Sequence, residues 1–368
     1  MGNTYSSMYP RSEACDIPRS TMLNDSVIDR ILAHLPRCTI GVLGDLFLDR
    51  YLDIDSQWNE PSLETGLTAY QVVRVRCYAG AAGTVINNLA ALGAGRILPL
   101  SIIGDDGEGY ELRQALARWA NVDDRHILIT AERRTPTYTK PMLDGQELNR
   151  LDIKNRTPTP PLLEQKVCEM LQECWNEADA WLVLDQVSEA DCGAVTRRVR
   201  ELLSELASQD PSKFVLADSR ERIGLFRHVS LKPNERECRR ACGAGQETPI
   251  EYCVEQLVRS CGRTVFCTQG EAGILLGEEQ EGSARILRIA AYPVAGPIDP
   301  VGAGDSCSAG IVSAVLAGAS REAASAFGNL VASITIQQIG VTGTATLQQV
   351  RQRWQVVKWL HGPSSSRF

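Results

Sequence analysis

The residues best equipped for chemistry run consecutively: Asp299-Pro300-Val301-Gly302-Ala303-Gly304-Asp305-Ser306-Cys307-Ser308-Ala309. A turn-forming Asp-Pro leads into Gly-Ala-Gly, then an aspartate, then small residues able to start a buried helix. Amides at a helix N-terminus, stripped of side chains by glycine, form a socket for an anion. A bound phosphate would repel a carboxylate at that mouth, so Asp305 needs a reason to be there. General base chemistry supplies one. Asp305 takes a proton from a hydroxyl while the socket holds the charge that develops on a transferred phosphoryl group. The plainer reading of the same string is a glycine turn with Asp305 as an ordinary helix cap.

The chain has 368 residues, 43% hydrophobic and 23% charged, enough for one large α/β domain or two small ones. A net charge of −7 argues against a broad nucleic-acid or acidic-membrane surface, so no nucleic-acid or membrane partner is expected. An anionic substrate would need a local basic pocket. The twelve cysteines include no Cys-x-x-Cys, Cys238 and Cys242 stand four apart in a charged helix-like stretch, and the four histidines are scattered. This usage reads as reduced thiols in a cytoplasmic chain. No apolar run approaches the ~20 residues of a membrane helix. Met1-Gly2 followed by Ser6 formally fits an N-myristoylation pattern, one short enough to arise by chance. Residues 1–20 read as a flexible polar leader before a single domain over 21–360.

Apolar periodicity predicts a helix over 26–34, capped by Asp25, with Val27, Ile28, Ile31 and Leu32 inward. Residues 38–44 read as a buried strand that ends in Gly44-Asp45-Leu46-Phe47-Leu48-Asp49-Arg50-Tyr51. Residues 68–77 alternate like a half-exposed strand, and Gly80-Ala81-Ala82-Gly83 opens a helix closed by Gly93. Further strands are predicted at 97–103, 125–129, 137–143, 180–185, 213–217, 228–231, 264–268 and 273–276. Helices are predicted between many of them, at 107–119, 161–177, 190–207, 249–260, 303–318 and 320–338. This alternation argues for an α/β fold, a parallel sheet covered on both faces. Segments 50–77 and 137–153 pair poorly with helices and are expected to form a small β-sheet outside it.

The string ending in Asp305 resembles the second signature of the ribokinase/PfkB sugar kinases, D-T-x-G-A-G-D, with Gly-Ala-Gly-Asp intact. The resemblance implies a ribokinase-like three-layer α/β/α sandwich with a small β-sheet lid, supplied by strands from about 50–77 and 137–153. It implies Asp305 as the base, and Gly302, Ala303 and Gly304 as the anion hole. Gly44 to Tyr51 resembles the family's first strand and turn, which implies that Asp49 binds two sugar hydroxyls; a carboxylate accepts two such bonds in a fork. The alternative is that Asp45 and Asp49 only cap a turn. Residues 79–94, AGAAGTVINNLAALGA, resemble the first signature, G-G-A-A-N-V-A-x-N-L-A-x-L-G, and so place Gly80, Thr84 and Asn88 at the substrate. Here Ala81 stands for a glycine and Thr84 for the asparagine that touches the sugar.

Asn234-Glu235-Arg236-Glu237 matches the family's N-x-x-E element. The resemblance implies that Asn234 positions phosphates and that Glu237 holds Mg2+ through water, a cation that keeps most of its waters. A Pro-Asn turn opening an acidic helix is the other reading. Thr268-Gln269-Gly270-Glu271-Ala272-Gly273 resembles the T-x-G-x-x-G turn beside the nucleotide, directing Thr268, Gly270 and Gly273 toward ATP. Asn329 matches an asparagine near the adenine or is a solvated helix position. Asp299 stands where the resemblance allows a monovalent cation such as K+.

Within the family, Thr137-Tyr138-Thr139-Lys140 and Gln146-Glu147-Leu148-Asn149-Arg150-Leu151-Asp152 are similar to T-x-T-K…Q-x-x-x-R-x-D of the heptose-7-phosphate kinases, and residues 334–346 to their closing G-T strand. Lys140 and Arg150 are either the basic groups for a sugar phosphate or salt-bridged lid residues. Glu189 replaces the lysine of S-D-Y-x-K-G, a reversed charge that would repel an anionic substrate. In a chain of this length the nucleotidyltransferase domain that often follows those kinases is not expected. The expected function is ATP-dependent phosphorylation of a sugar or sugar-phosphate hydroxyl. A catalytically silent sensor of sugar or nucleotide, motivated by Ala81 and Thr84, and a kinase for a nucleoside-like alcohol are the alternatives. The apolar edge of 68–77 suggests a homodimer formed through the lid.

Overall fold

Side chains on the strand Thr39–Gly44 divide between two cores: Ile40 and Val42 join the hydrophobic cluster on one side of the sheet, Leu43 the cluster on the other. The adjacent strand Ala180–Asp185 repeats the pattern, with Leu182 and Leu184 on the first side and Trp181 and Val183 on the second. A strand apolar on both faces must be covered on both, and it is. The computed structural model describes residues 23–340 and 342–358, so the expected leader over 1–20 lies outside the described residues.

The main sheet has nine strands, in the order Ser283–Ile289, Ile274–Gln280, Val265–Thr268, Ser230–Leu231, Phe214–Ser219, Ala180–Asp185, Thr39–Gly44, Arg96–Gly104 and Ile127–Thr130. The run from Val265–Thr268 to Ile127–Thr130 is parallel, and the first two strands are antiparallel. Ser283–Ile289 was not predicted. Its marker is the two-residue turn Glu281-Gly282, both at positive φ (50° and 80°), the tight hairpin connection. Helices Asp25–His34, Ala82–Ala91, Gly107–Leu116, Ala303–Leu316, Arg321–Thr335 and Leu347–Val357 feed one core. Pro161–Cys174, Arg197–Gln209, Glu235–Ala241 and Ile250–Cys261 feed the other. Among the described residues no helix is long and apolar enough to cross a membrane.

The second sheet stands beside this sandwich, in the order Leu151–Ile153, Thr137–Leu143, Leu46–Ile54 and Val72–Ala81, with Gln146–Glu147 paired off Thr137–Leu143. It starts at Leu46, directly after the strand Thr39–Gly44, where sequence reading placed the lid from about 50. Residues 68–69 belong instead to a small ribbon with Glu60–Pro61. Other boundaries move for local reasons. Asn24, not Asp25, caps the first helix, accepting from the Val27 amide. The helix expected from 190 starts at Arg197, because the Ala194 amide is held by Asp45. No strand forms over the described part of 334–346: Gly343 doubles back so closely that a Cβ there would lie 2.5 Å from the Thr335 carbonyl. Leu347–Val357 follows, opened by a Thr346/Gln349 capping box.

Two details fix the helix that carries Asp305. Gly310 meets Gly328 backbone to backbone, a Cβ at Gly310 falling 2.9 Å from the Gly328 Cα. Ser306 and Thr335 hydroxyls lie 2.8 Å apart between the same two helices. At the junction of lid and sandwich, Ala81 adopts φ 53°, ψ −117°, a region suited to glycine. Ala81→Gly should therefore stabilise the protein by about 1 kcal/mol, a rise of roughly 2–4 °C in Tm; an unchanged or lower Tm in a thermal melt would count against strain at this residue.

Candidate active site

Parallel strands leave a crevice at their carboxyl ends, and here several charged residues meet in it. Asp218 comes from the end of Phe214–Ser219, Lys232 follows Ser230–Leu231, and Thr268 ends its own strand. With Asn234, Glu237, Gly302, Gly304, Asp305, Arg220 and Gln186 they line one cavity. Gly302 precedes the helix Ala303–Leu316 in a left-handed conformation, φ 79°, and a Cβ on it would sit 2.8 Å from the Thr342 methyl and 3.4 Å from that of Thr84. Glycine is required there on both counts. The sequence expectation included Ala303 in the anion hole. Its amide instead donates to the Pro300 carbonyl at 3.1 Å and Ala303 does not line the cavity, so the open turn consists of Gly302 and Gly304.

Asp305 lies in the first turn of that helix. Burial, reinforced by the charge of Asp218 and opposed by Lys232 and Arg220, raises its carboxyl to about 7. A base with that affinity is matched to proton transfer near neutral pH. Lys232 was not among the residues expected from the sequence. Its Nζ lies 2.8 Å from Asp218 Oδ2, both side chains nearly enclosed, and 3.4 Å from where a Cβ on Gly304 would stand. Burial works against the ammonium, but Asp218 outweighs it and lifts the Lys232 pKa. The readable signal was a lysine at the very end of an apolar strand.

Asn234 and Glu237 make the turn that opens an acidic helix, one of their two sequence readings. They form a capping box, Glu237 N–H to Asn234 Oδ1 at 2.9 Å and Asn234 N–H to Glu237 Oε2 at 2.8 Å, and both line the cavity. Glu237 is pushed up by burial and then by Asp218. Thr268 is tied to this turn through its amide, 2.9 Å from the Pro233 carbonyl. Gly270 and Gly273 both take positive φ, and Gly273 runs against Ile289 and Ala291 with no room for a side chain. Asn329 is not solvated: it is buried, donating to the Ile289 and Ala290 carbonyls at 3.1 and 3.2 Å. Gly273 and Asn329 thus fix one strand end and lie outside the cavity lining. The Asp299 carboxylate accepts from the Val301 and Gly340 amides at 3.1 and 3.3 Å, holding the turn before Gly302; a cation there rests on the resemblance alone.

Across the cleft, the lid presents Asp49. Lys140 Nζ lies 3.5 Å from Asp49 Oδ1 and 3.1 Å from the Tyr51 hydroxyl. A side chain on Gly80 would collide with the Asp49 carboxylate. Burial raises Asp49, against the pull of Lys140, Arg150 and Arg220, and its charge reaches Asp305. Arg150 forks onto Asp152 at 2.7 and 3.0 Å and stacks 4.2 Å over the Tyr138 ring. Both basic residues are therefore held by lid partners. Thr84 is buried beside Gly302, whereas Asn88, expected at the substrate, has no exposed surface and donates to the Thr84 and Gly343 carbonyls at 2.9 and 3.4 Å. Its place is in the packing behind the site. Asp45 is the turn cap that sequence reading allowed: it accepts from the amides of Gln186, Val187 and Ala194 at 2.9, 3.1 and 2.7 Å. Burial and then Asp185 raise it to about 6. Glu189 lines a separate cavity with Tyr138 and Lys154.

The pfkB family carbohydrate kinase model matches residues 47–347. Over 350 residues the chain is 28% identical to the bifunctional protein HldE of Pelobacter propionicus, covering 93% of this chain and 67% of that protein. Over 317 residues it is 28% identical to HldE of a Nitratiruptor species, covering 85% and 64%. The chain thus spans about two thirds of the length of these relatives. Among solved structures, Arabidopsis thaliana ribokinase complexed with ribose and ATP superimposes with a TM-score of 0.60 at 19% identity, over 86% of this chain and 98% of that one. Phosphofructokinase-2 of Escherichia coli gives 0.63 at 15% identity, over 87% and 99%. The fold is the ribokinase-like sandwich with its lid.

Carboxyl 13C NMR should place the Asp305 midpoint near 7. Lys232→Met removes a cation that favours the ionised form, so the midpoint must move up; a midpoint near that of free aspartate, about 4, would show the group solvated.

Proposed function

The chain belongs to the pfkB family of carbohydrate kinases, and we propose that it moves the γ-phosphoryl group of ATP to a hydroxyl of a sugar or sugar phosphate, with Asp305 as general base. The observation that supports this most is one cavity holding a base raised to about 7, a glycine turn and the Lys232–Asp218 pair, faced by Asp49 on a lid. The acceptor hydroxyl is held between Asp49 and Asp305. Its proton passes to Asp305 as the oxygen attacks the γ-phosphorus in line. Gly302 and Gly304 amides meet the charge on the equatorial oxygens, and positioning of this kind supplies most of the rate in phosphoryl transfer. Asn234 and Thr268 border the phosphates.

Among the described residues no group of three or more His, Cys, Asp or Glu is arranged to hold a metal directly. Glu237 Oε1, which accepts no hydrogen bond among the described residues, fits a hydrated magnesium ion held through water, whose charge would offset that of the phosphates. The lid keeps water from the reaction. The heptose-kinase-like motifs favour a phosphorylated sugar. Lys140 and Arg150 would then exchange part of their hold on Asp49 and Asp152 for the substrate. All cysteines among the described residues are free, as a reducing cytoplasm would keep them. The lid edge Val72–Ala81 exposes Val73 and Val75, a surface suited to pairing with a second copy.

ADP release from Mg-ATP against a panel of sugars and sugar phosphates tests the reading. Sugar-dependent turnover should fall about 10²–10⁴-fold in Asp305→Asn. Wild-type turnover no higher than the variant's on every panel member, with ATP still bound, would favour a silent sensor. Light scattering should give a dimer that Val73→Glu with Val75→Glu converts to monomer; a monomeric wild type would end the lid-dimer proposal.

A further inference from the structure

Arg220 is a guanidinium in the cavity with its backbone fixed and its side chain unengaged. Its amide donates to the Asp185 carbonyl at 3.2 Å, and its carbonyl accepts from Arg240 at 3.0 Å. The neighbouring arginines are consumed: Arg222 forks onto Asp185 at 2.6 and 3.0 Å, and Arg240 pairs with Glu221. Lys232, the other cation lining the cavity, is neutralised by Asp218. Among the described residues the Arg220 side chain makes no hydrogen bond or ion pair, and it is exposed to the cleft that it lines. Its charge is felt by three carboxylates with different duties: Asp49 on the acceptor side, Glu237 on the phosphate side, and Asp305 between them. A cation that reaches all three stands beside the path from donor to acceptor.

We propose that Arg220 is a second catalytic residue, its guanidinium forking onto the phosphoryl group during transfer. The inference rests on the kinase reading above. In the step, the bond from the γ-phosphorus to the β–γ bridging oxygen breaks while the bond to the acceptor oxygen forms. The acceptor proton goes to Asp305, and ADP leaves with the bridging electrons. The equatorial oxygens keep their charge throughout. The Gly302 and Gly304 amides approach them from the helix side, and Arg220, on the neighbouring strand end, meets them from the other. A planar fork matches two such oxygens where a lysine would meet one.

Arg220→Ala and Arg220→Lys, assayed beside wild type on an accepted sugar, test this. Arg220→Ala should lose about 10²–10³-fold in kcat, with KM for ATP and sugar changed less than about threefold. Guanidinium chloride in the millimolar range should restore part of that loss in Arg220→Ala and none in Arg220→Lys. The Tm should not move, because the side chain has no partner to lose. A kcat within about threefold of wild type, or a loss confined to KM for ATP, overturns the assignment. So does a loss that guanidinium does not relieve and that comes with a lower Tm. Those outcomes leave the kinase reading standing, whereas absent sugar-dependent turnover in wild type removes both.

Discussion

The Asp218–Lys232 ion pair, enclosed at the ends of two adjacent parallel strands, is the interaction on which the rest of the site depends. Burying both charges is costly, and stripping one partner from such a pair typically destabilises a protein by about 3–5 kcal/mol. The pair supports a further arrangement. Lys232 lies under Gly304 and opposes the burial of Asp305, while Asp218 raises both Asp305 and Glu237. One carboxylate–ammonium contact therefore sets how strongly two other acids hold their protons. Without Lys232, the negative groups around the cavity would face each other with only Arg220 among the lining residues to offset them.

A second buried carboxylate organises the backbone. Asp45 sits where the strand Thr39–Gly44 of the sandwich becomes the first strand of the lid, and its three amide bonds gather the loop after Ala180–Asp185 around that junction. Asp185, next in line, secures Ser219 and Arg222 at 2.6 Å each. The loops that carry Gln186 and Arg220 are thus positioned by acids that have no chemical duty of their own.

The sandwich, most strands and the residues of the glycine turn were legible in the sequence because each depends on a local pattern. Asp305, Gly302 and Gly304 are neighbours on one turn, and Ile40 to Leu43 announce their burial by composition. What stayed hidden depends on register or on direction. Lys232 and Asp218 meet only because Ala217 pairs with Leu231 across the sheet. Ala303 shares its motif with two cavity-lining glycines, yet the left-handed Gly302 turns its amide toward Pro300. Asn88 and Asn329 are polar residues that hydrogen-bond to backbone in the interior, a fate that residue type does not reveal. Ser283–Ile289 was missed because charged Arg285 and Arg288 interrupt its apolar pattern, although the Glu281-Gly282 turn marked it.

The contact between Gly310 and Gly328 settles where the molecule has slack. Two helices whose backbones already touch cannot slide toward each other, and interiors packed this way transmit displacement instead of absorbing it. Asp305 and its glycine turn ride on one of those helices and are a stationary wall of the cleft. The opposite wall joins the sandwich through short chain crossings near Asp45, Ala81, Pro136 and residues 154–160, and through lid Arg50, which pairs with Glu111 on the helix Gly107–Leu116. Any change in the width of the cleft falls to these crossings, and the strained one at Ala81 becomes a candidate hinge for the pace of opening.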